Sequence, residues 1–290
     1  MNKKRTVLLG NFDGVHIGHR ALIKSGREEA DKRGTPLTVW TFDTLSPSAL
    51  NKEEDRAELL RSCGVEEIVT ESFERVKNLS PTEFVSEILK KRLNAELCVC
   101  GYNYTFGRGG MGDPKLLKEL CSENGIEVLT VDRVTLENED VSSSAIRRKL
   151  TDGDMESANK LLGRPYFLID TVKKGAQKGR TVGMPTVNFY PDGLCLPKNG
   201  VYATVTHLKD GRIFPSVTNM GLRPTMNDGR GVSAETYIIG FDGDLYGEKI
   251  KVEFLSFLRP EQRFESLSDV YDAVKSDIEK AKTIFEKRNG

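Results

Sequence analysis

The 290-residue sequence predicts two domains of unlike class. The first is an α/β domain with a parallel sheet. The second is a mainly antiparallel β domain, a barrel or a sandwich, that ends in a helix. Three observations predict this. The length exceeds that of an ordinary single domain. In the first half, strand-like apolar runs alternate with helical periodicity, the βαβα order of a parallel sheet covered on both faces. From about Tyr166 the strands are short, turn-separated and often alternating. The change of style falls within Met155–Arg164 and divides the chain into 1–158 and 159–290.

Each element of the first half has its own signal. Thr6–Gly10 is a short apolar strand, and Gly18–Arg33 has helical spacing through Ala21, Leu22 and Ala30. Pro36–Phe42 is a strand rich in Val, Trp and Thr. Arg56–Cys63 is helical and stops at Gly64. Glu67–Thr70 is a strand. Ser80-Pro81-Thr82-Glu83 opens a helix that runs to Leu93, with proline in its first turn. Leu97–Cys100 is a strand, Asp113–Asn124 a helix closed by Gly125, and Glu127–Val131 a strand. In the second half, turns recur at Lys173–Gly179, Pro191–Gly193, Lys198–Gly200, Lys209–Gly211 and Asp242–Gly243. The final helix places Leu267, Val270, Val274, Ile278, Ala281 and Phe285 on one face.

Composition excludes several classes. Lys+Arg and Asp+Glu are 43 each, so no excess of basic charge points to nucleic acid or a membrane surface. Apolar residues at 38% and charged residues at 30% suit a globular chain. No apolar run approaches the roughly 20 residues of a membrane span. No signal h-region follows the N-terminus, so a cytoplasmic protein is expected. The cysteines at 63, 98, 100, 121 and 195 form no CxxC pair and read as free thiols in a reducing compartment. Cys98 and Cys100 share a strand face, and a metal pair there is the lesser reading.

Only three histidines occur, and His16 and His19 fall within four residues. They end the run Gly10-Asn11-Phe12-Asp13-Gly14-Val15-His16-Ile17-Gly18-His19, between a strand and a helix. Ligands of parallel sheets bind beyond the carboxyl ends of strands, where such loops lie. Gly10, Gly14 and Gly18 let backbone approach a ligand, and the helix N-terminus favours anions. Two imidazoles there suit a triphosphate attacked at its α-phosphorus. A pair of packed histidines or a zinc pair competes with this, but no further ligand cluster supports zinc.

Val141-Ser142-Ser143-Ser144-Ala145-Ile146-Arg147 reads as a helix start. Ser143 and Ser144 could hold phosphate and Arg147 could neutralise a leaving pyrophosphate, although capping alone accounts for the serines. Gly101-Tyr102-Asn103-Tyr104-Thr105-Phe106-Gly107 offers aromatics and an amide after a strand. Those side chains suit a flat heterocycle, or simply a strand end with packed rings.

In the second half, Gly175–Thr181 lacks one residue of a P-loop and carries Arg180 in place of its lysine. Met184-Pro185-Thr186-Val187-Asn188 follows, and Pro185 does not open the helix a P-loop needs. The alternative is a glycine-rich flap, Gly175 to Gly179 and Arg180, feeding a strand. Thr186 and Asn188 face one side of that strand and are neutral oxygen donors fit for Mg²⁺. Glu235 interrupts an apolar strand, as a general base or as a solvent-facing residue.

Together these motifs resemble the bacterial bifunctional riboflavin kinase/FMN adenylyltransferase (FAD synthetase) family. GNFDGVHIGH and VSSSAIR are similar to its GxFDGVHxGH and ISSTxIR signatures, and GYNYTFG to a third. GRTVGMPTVN resembles the kinase signature GxxxGxPTxN. PKNGVY, NMGLRPT, FDGDLYG and LRPEQRF follow in the family's order, so the resemblance spans nearly the whole chain.

The resemblance implies a Rossmann-like HxGH nucleotidyltransferase domain, then a riboflavin kinase β-barrel. It implies riboflavin, FMN, FAD and ATP as ligands, with Mg²⁺ as cofactor. In nucleotide binding it places Gly10, Asn11, Phe12, Asp13, Gly14, Gly18, Ser143, Ser144, Gly175, Gly179 and Arg180. At the flavin it places Asn103, Tyr104, Phe106, Arg223, Arg259 and Phe264. In catalysis it places His16, His19, Arg147 and Glu235. Two departures stand out. A Phe-x-Pro-His-Pro turn is replaced by Phe42-Asp43-Thr44-Leu45-Ser46-Pro47, which leaves the flavin contacts of that loop open. Val187 stands where alanine is usual. A kinase with an altered first domain and a flavin-binding regulator are the rival readings.

Overall fold

In a computed structural model the described residues are 3–43, 48–173, 184–222 and 232–289. They form two compact units, Met1–Ser143 and Ser144–Gly290.

The first unit is built on five parallel strands. These are β1 (Arg5–Leu9), β2 (Leu37–Phe42), β3 (Glu67–Glu71), β4 (Ala95–Gly101) and β5 (Glu127–Val131), in the order β3-β2-β1-β4-β5. The chain moves outward from β1 to β2 and β3, then returns to the other side of β1 with β4. The order therefore reverses between β1 and β4, and ligands of such sheets bind in the crevice beyond that point. Gly10–His19 follows β1, and Gly101–Gly107 follows β4. Two sequence motifs about ninety residues apart thus meet at one crevice because topology puts their strands side by side.

Helices cover both faces. α1 (Ile17–Arg33) and α2 (Glu53–Ser62) lie over Leu8, Leu37, Val39, Leu97 and Val99. Gly26 on α1 allows the close approach, since a Cβ there would lie 2.3 Å from Leu8 Cδ2. The sequence places the start of α2 at Arg56, but it begins one turn earlier, where Glu53, Glu54 and Asp55 supply the negative charge a helix start favours. A short α3 (Phe73–Val76) precedes α4 (Pro81–Glu83), which continues in wider π-type turns to Arg92. Ser80 and Glu83 form a reciprocal capping box at its start. Its Phe84, Val85, Ile88 and Leu89, with α5 (Pro114–Glu123), bury the other face against Val7, Leu9, Trp40, Cys98 and Cys100. All five cysteines are free. Burial raises the Cys100 thiol to about 11, as expected of packed thiols. A small hairpin, β6 (Thr135–Leu136) and β7 (Glu139–Asp140), turns through Glu137 and Asn138, both at positive φ.

The second unit opens with α6 (Ser143–Asp152, whose first residue closes the first unit), where the sequence reads a helix start, and α7 (Met155–Leu162), which the sequence reading passed over. Six antiparallel strands follow: β8 (Tyr166–Thr171), β9 (Thr186–Phe189), β10 (Gly200–His207), β11 (Ile213–Leu222), β12 (Val232–Ile238) and β13 (Lys249–Arg259). Their order is β8-β13-β10-β11-β12-β9, and Lys173 N donates to Asn188 O at 2.8 Å, joining the two edges. Of barrel and sandwich, the structure is the barrel. One face of its strands carries buried hydroxyls in a ladder, Thr206–Ser216–Thr204–Thr218–Thr236, at 2.8–2.9 Å per step. Each hydroxyl has a partner, which is what burial requires.

α7 belongs to this barrel. Asn159 Nδ2 donates to Phe254 O at 2.8 Å and its Oδ1 accepts from Tyr166 N at 2.7 Å. The terminal α8 (Leu267–Asn289) packs Ile278 and Ala281 on Val201, Ala203 and Val217, with Val274 and Ile284 beside them. Asp277, 1% exposed, takes the Arg259 guanidinium at 2.8 and 2.9 Å. Removing one partner of a buried pair strands the other. Asp277→Ala is expected to lose about 3–5 kcal/mol, read by chemical denaturation of the barrel.

Candidate active sites

In the first unit the Gly10–His19 loop is held from beneath. Arg56, 2% exposed, donates from Nη1 to Asn11 O at 2.8 Å and from Nη2 to Phe42 O at 3.0 Å. It ties the end of β2 to the loop after β1. Asp13 Oδ1 accepts from Leu50 N at 2.8 Å, and Ser143 Oγ donates to Asp13 O at 2.9 Å. Phe12 and Val15 have φ of +53° and +41°, and Gly14 +86°. Two non-glycine residues in the left-handed region mark a strained loop that its surroundings over-determine.

His16 caps α1, its Nδ1 accepting from His19 N at 3.3 Å. A neutral His16 therefore carries its proton on Nε2 and presents a donor. The His16 and His19 rings stack, with centroids 3.6 Å apart and planes 17° from parallel. Gly18 leaves room, since a Cβ there would sit 3.2 Å from the His16 ring. Burial lowers the pKa of both, that of His16 to about 4 and that of His19 well below its ordinary value, where the His16 charge adds to burial. Both are neutral imidazoles near pH 7. In the unfolded chain they titrate near 6.5. Between about pH 6.5 and 4 the unfolded state binds more protons, so acid weakens the first unit. Its thermal midpoint, followed by the emission of the one tryptophan, is expected to fall from pH 7 to pH 5. His16→Gln should remove part of that fall.

Gly10, Asn11, Phe12, His19, Asn103, Tyr104 and Phe106 line one cavity of about 500 Å³. The sequence reading named all seven. Gly14, Gly18, Asp13 and His16 shape the loop behind it. Ser143 joins that loop through Asp13, while Ser144 and Arg147 lie on α6, one and four residues further on, in the second unit. Phe106 is seated by two backbone hydrogen bonds with Gly112, where a Cβ would strike its ring at 2.4 Å. Burial raises the pKa of the Tyr104 hydroxyl well above its usual value. The same cavity is walled by Trp40, Phe42, Phe73 and Phe84, with Lys77 beside them. Of these five, Phe42 was named only as the head of the altered run, and Trp40, Phe73, Phe84, Lys77 and the supporting role of Arg56 were not singled out from sequence. Trp40 and Phe42 sit two apart on β2, a signal for one face of a strand but not for a cavity.

In the second unit β9, β12 and β11 run side by side. Glu235 pairs in register with Asn188 on one side and Asn219 on the other, and Tyr237 pairs with Thr186. Directly opposed residues in a sheet share a face. Thr186, Asn188 and Glu235 are thus brought together by strand pairing, although Glu235 lies 47 residues beyond Asn188. Asn188 is 4% exposed. A cavity of about 170 Å³ borders Thr186, with Pro185, Val187 and Tyr246 in its lining. Arg259 is occupied by Asp277, and its guanidinium lies 5.6 Å from the Phe264 ring centroid. Gly175, Gly179, Arg180 and Arg223 lie outside the described residues.

Oxygen-only donors on a strand face suit a hard divalent cation that keeps phosphate and water ligands. Among the described residues no group of three or more His, Cys, Asp or Glu could hold a metal by itself. The donor set fits an ion carried in largely by nucleotide phosphates, not a resident protein cage.

An α/β unit with a crevice at its switch point and a curled antiparallel barrel with an oxygen-rich strand face define a two-site transferase that handles phosphorylated substrates. Comparison with known proteins makes this particular. The FAD synthetase family model matches residues 1–145 and the riboflavin kinase family model residues 162–285. The bifunctional riboflavin kinase/FMN adenylyltransferase of Listeria monocytogenes is 34% identical, over 98% of this chain and 93% of its own. That of Escherichia coli is 32% identical over 96% and 91%. A crystal structure from Streptococcus pneumoniae, described as a macrolide-efflux protein, aligns with a TM-score of 0.87 at 29% identity over 97% of each chain. That description stays with that protein, and no helix among the described residues here is long and apolar enough to cross a membrane. The chain belongs to the bifunctional riboflavin kinase/FMN adenylyltransferase family.

Proposed function

We propose that the two reactions named for this family are divided between the first and the second half of this chain. It is a riboflavin kinase and an FMN adenylyltransferase. Residues 159–290 transfer the γ-phosphoryl of ATP to the 5′-hydroxyl of riboflavin, giving FMN and ADP. Residues 1–158 join AMP from a second ATP to FMN, giving FAD and pyrophosphate. The observation that carries the reading is that two unlike phosphate-handling motifs sit in separate units, each at the place its fold favours for a ligand.

In the barrel, Glu235 takes the proton of the 5′-hydroxyl as its oxygen attacks the γ-phosphorus. Thr186 and Asn188 are the residues that would hold a divalent cation, and we assign Mg²⁺. When bound, the cation neutralises phosphate charge. Gly175, Gly179 and Arg180 belong to the phosphate flap in this reading, and Arg223, Arg259 and Phe264 to the flavin side. In the first unit an FMN phosphate oxygen attacks the α-phosphorus of ATP, and the bond to the β-phosphate breaks. His16 and His19 donate hydrogen bonds to the α-phosphate as charge builds. Gly10, Asn11, Phe12, Asp13, Gly14 and Gly18 form the nucleotide loop. Ser143, Ser144 and Arg147 hold the outgoing pyrophosphate, and Asn103, Tyr104 and Phe106 receive the flavin. Neither step uses a protein nucleophile, so catalysis is positioning and electrostatics. A cytoplasmic location completes the reading, supported by the free thiols.

The test is direct. The chain is incubated with riboflavin, ATP and Mg²⁺, and the flavins are separated by chromatography. FAD is the expected product. FMN alone would leave only the kinase, and unchanged riboflavin would leave a binder. A separate barrel should begin before α7, because Asn159 holds Phe254 and Tyr166.

A further inference from the structure

Glu235 on β12 stands in register between two amides, Asn188 on β9 and Asn219 on β11. Directly opposed residues of an antiparallel pair have Cβ atoms about 4.5–5.5 Å apart, close enough for an amide N–H to reach a carboxylate. Each amide gives its donor to another acceptor. Asn188 Nδ2 donates to Thr186 O, at a long 3.5 Å. Asn219 Nδ2 donates to Glu261 Oε1 at 3.0 Å, across 42 positions of sequence. The other end of the Asn219 amide, Oδ1, is buried and meets no donor among the described residues. One hydrogen bond therefore decides which way this amide faces, and Glu261 supplies its acceptor. Glu261 follows the end of β13, and its carboxylate lies on β11. A Cβ at Gly221 would be 2.3 Å from its Oε1, 3.0 Å from Cδ and 3.2 Å from Oε2. Gly221 and Asn219 are two apart on β11 and share a face, so the missing side chain of one makes room for the acceptor of the other.

We infer that Glu261 is a positioning residue of the kinase site, which holds the Asn219 amide so that its donor stays off Glu235. This rests on the reading of the barrel as the riboflavin kinase with Glu235 as its base. In that reaction the 5′-hydroxyl proton passes to the Glu235 carboxylate as the hydroxyl oxygen bonds to the γ-phosphorus. A hydrogen bond donated to a carboxylate stabilises its ionised form and weakens it as a base. Bonds to charged groups are the stronger kind, and one made by Asn219 would have to be given up as the proton arrives. Glu261 captures that donor beforehand. Glu261 thus acts through Asn219 on the proton transfer, not on the binding of riboflavin. Arg259, two residues before it and paired with Asp277 of α8, anchors the segment that delivers it.

Steady-state kinetics on the full chain test this. Glu261→Ala is expected to lower kcat for riboflavin phosphorylation about tenfold, the worth of one hydrogen bond to a charged group. The KM values for riboflavin and ATP should stay within about twofold, the pattern of an interaction felt in the transition state. Conversion of supplied FMN to FAD, which belongs to the first half, is the control for an intact protein. The same substitution in a chain that already carries Asn219→Ala should change kcat by less than about twofold, because no amide is left to turn. An unmoved kcat in the single variant overturns the inference. An equal loss in both backgrounds overturns it too, as does a raised KM with kcat unchanged, because Glu261 would then support its own segment and not the amide. Gly221→Ala reaches the same point with both side chains kept, since its Cβ displaces both carboxylate oxygens from their seat. It should give the same fall in kcat. A normal kcat in Gly221→Ala overturns the proposal even if Glu261→Ala does not fold. Failure of the unaltered chain to phosphorylate riboflavin, or a normal rate in Glu235→Gln, would instead remove the reading beneath it.

Discussion

His19→Ala is expected to stop FAD formation while FMN still accumulates from riboflavin and ATP. His19 lines the cavity, stacks 3.6 Å from His16, and has a buried Nδ1 with no partner among the described residues. Held neutral by burial, it meets phosphate as a hydrogen-bond donor, not as a fixed cation. Removing one preorganised donor from a charge-building transition state costs roughly 10²–10³ in rate. The variant should fold, since the cap of α1 uses the backbone N–H of residue 19 and the His16 ring, both of which remain. Rate measurements with supplied FMN read the loss directly. FAD synthesis at the unaltered rate would return the histidine pair to a packing role.

Glu235→Gln is expected to give the mirror result, with phosphorylation of riboflavin reduced by about 10²–10⁴ and conversion of supplied FMN to FAD retained. Glutamine keeps the length and the hydrogen-bonding atoms of the side chain but does not accept a proton. Its neighbours across the sheet, Asn188 and Asn219, are amides, and the strand register they set does not depend on the charge of residue 235. Riboflavin binding should survive, and equilibrium dialysis checks it. A normal phosphorylation rate would make Glu235 a bystander on the strand. Loss of FMN adenylylation as well, in a folded protein, would mean that the two sites depend on each other.

The run of local signals in this chain is unusually complete for its first half. The five strands and the helices α1, α2, α4 and α5 lie close to where apolar period, Pro81, the Ser80–Glu83 run, Gly64 and Gly125 put them. Those features act within one turn or one strand, so neighbouring residues suffice to read them. The histidine pair was legible for the same reason: a glycine-rich loop and two imidazoles lie within ten residues. The helices α3 and α7 were harder. They are short, and α7 earns its place through Asn159 bonding to a strand some ninety residues later. The final helix was read by its apolar face, but the buried Asp277 on the same helix was not. Its partner Arg259 is distant in sequence, and a buried carboxylate is indistinguishable from a solvated one until that partner is known.

By itself the sequence determined the class of each half and, through the order of its motifs, the family. These are local or serial properties. Tertiary structure alone decided that the loops after β1 and β4 share one crevice, because strand order in a parallel sheet depends on crossover packing and not on adjacency in sequence. It decided that Asn188 and Glu235 stand opposite each other, because register is a property of paired strands. It also decided that Arg56 supports the histidine loop and that Trp40 walls the cavity. A buried arginine and a strand tryptophan carry no mark of their surroundings in the sequence. Their roles come from which backbone carbonyls and which empty volume the fold happens to place beside them.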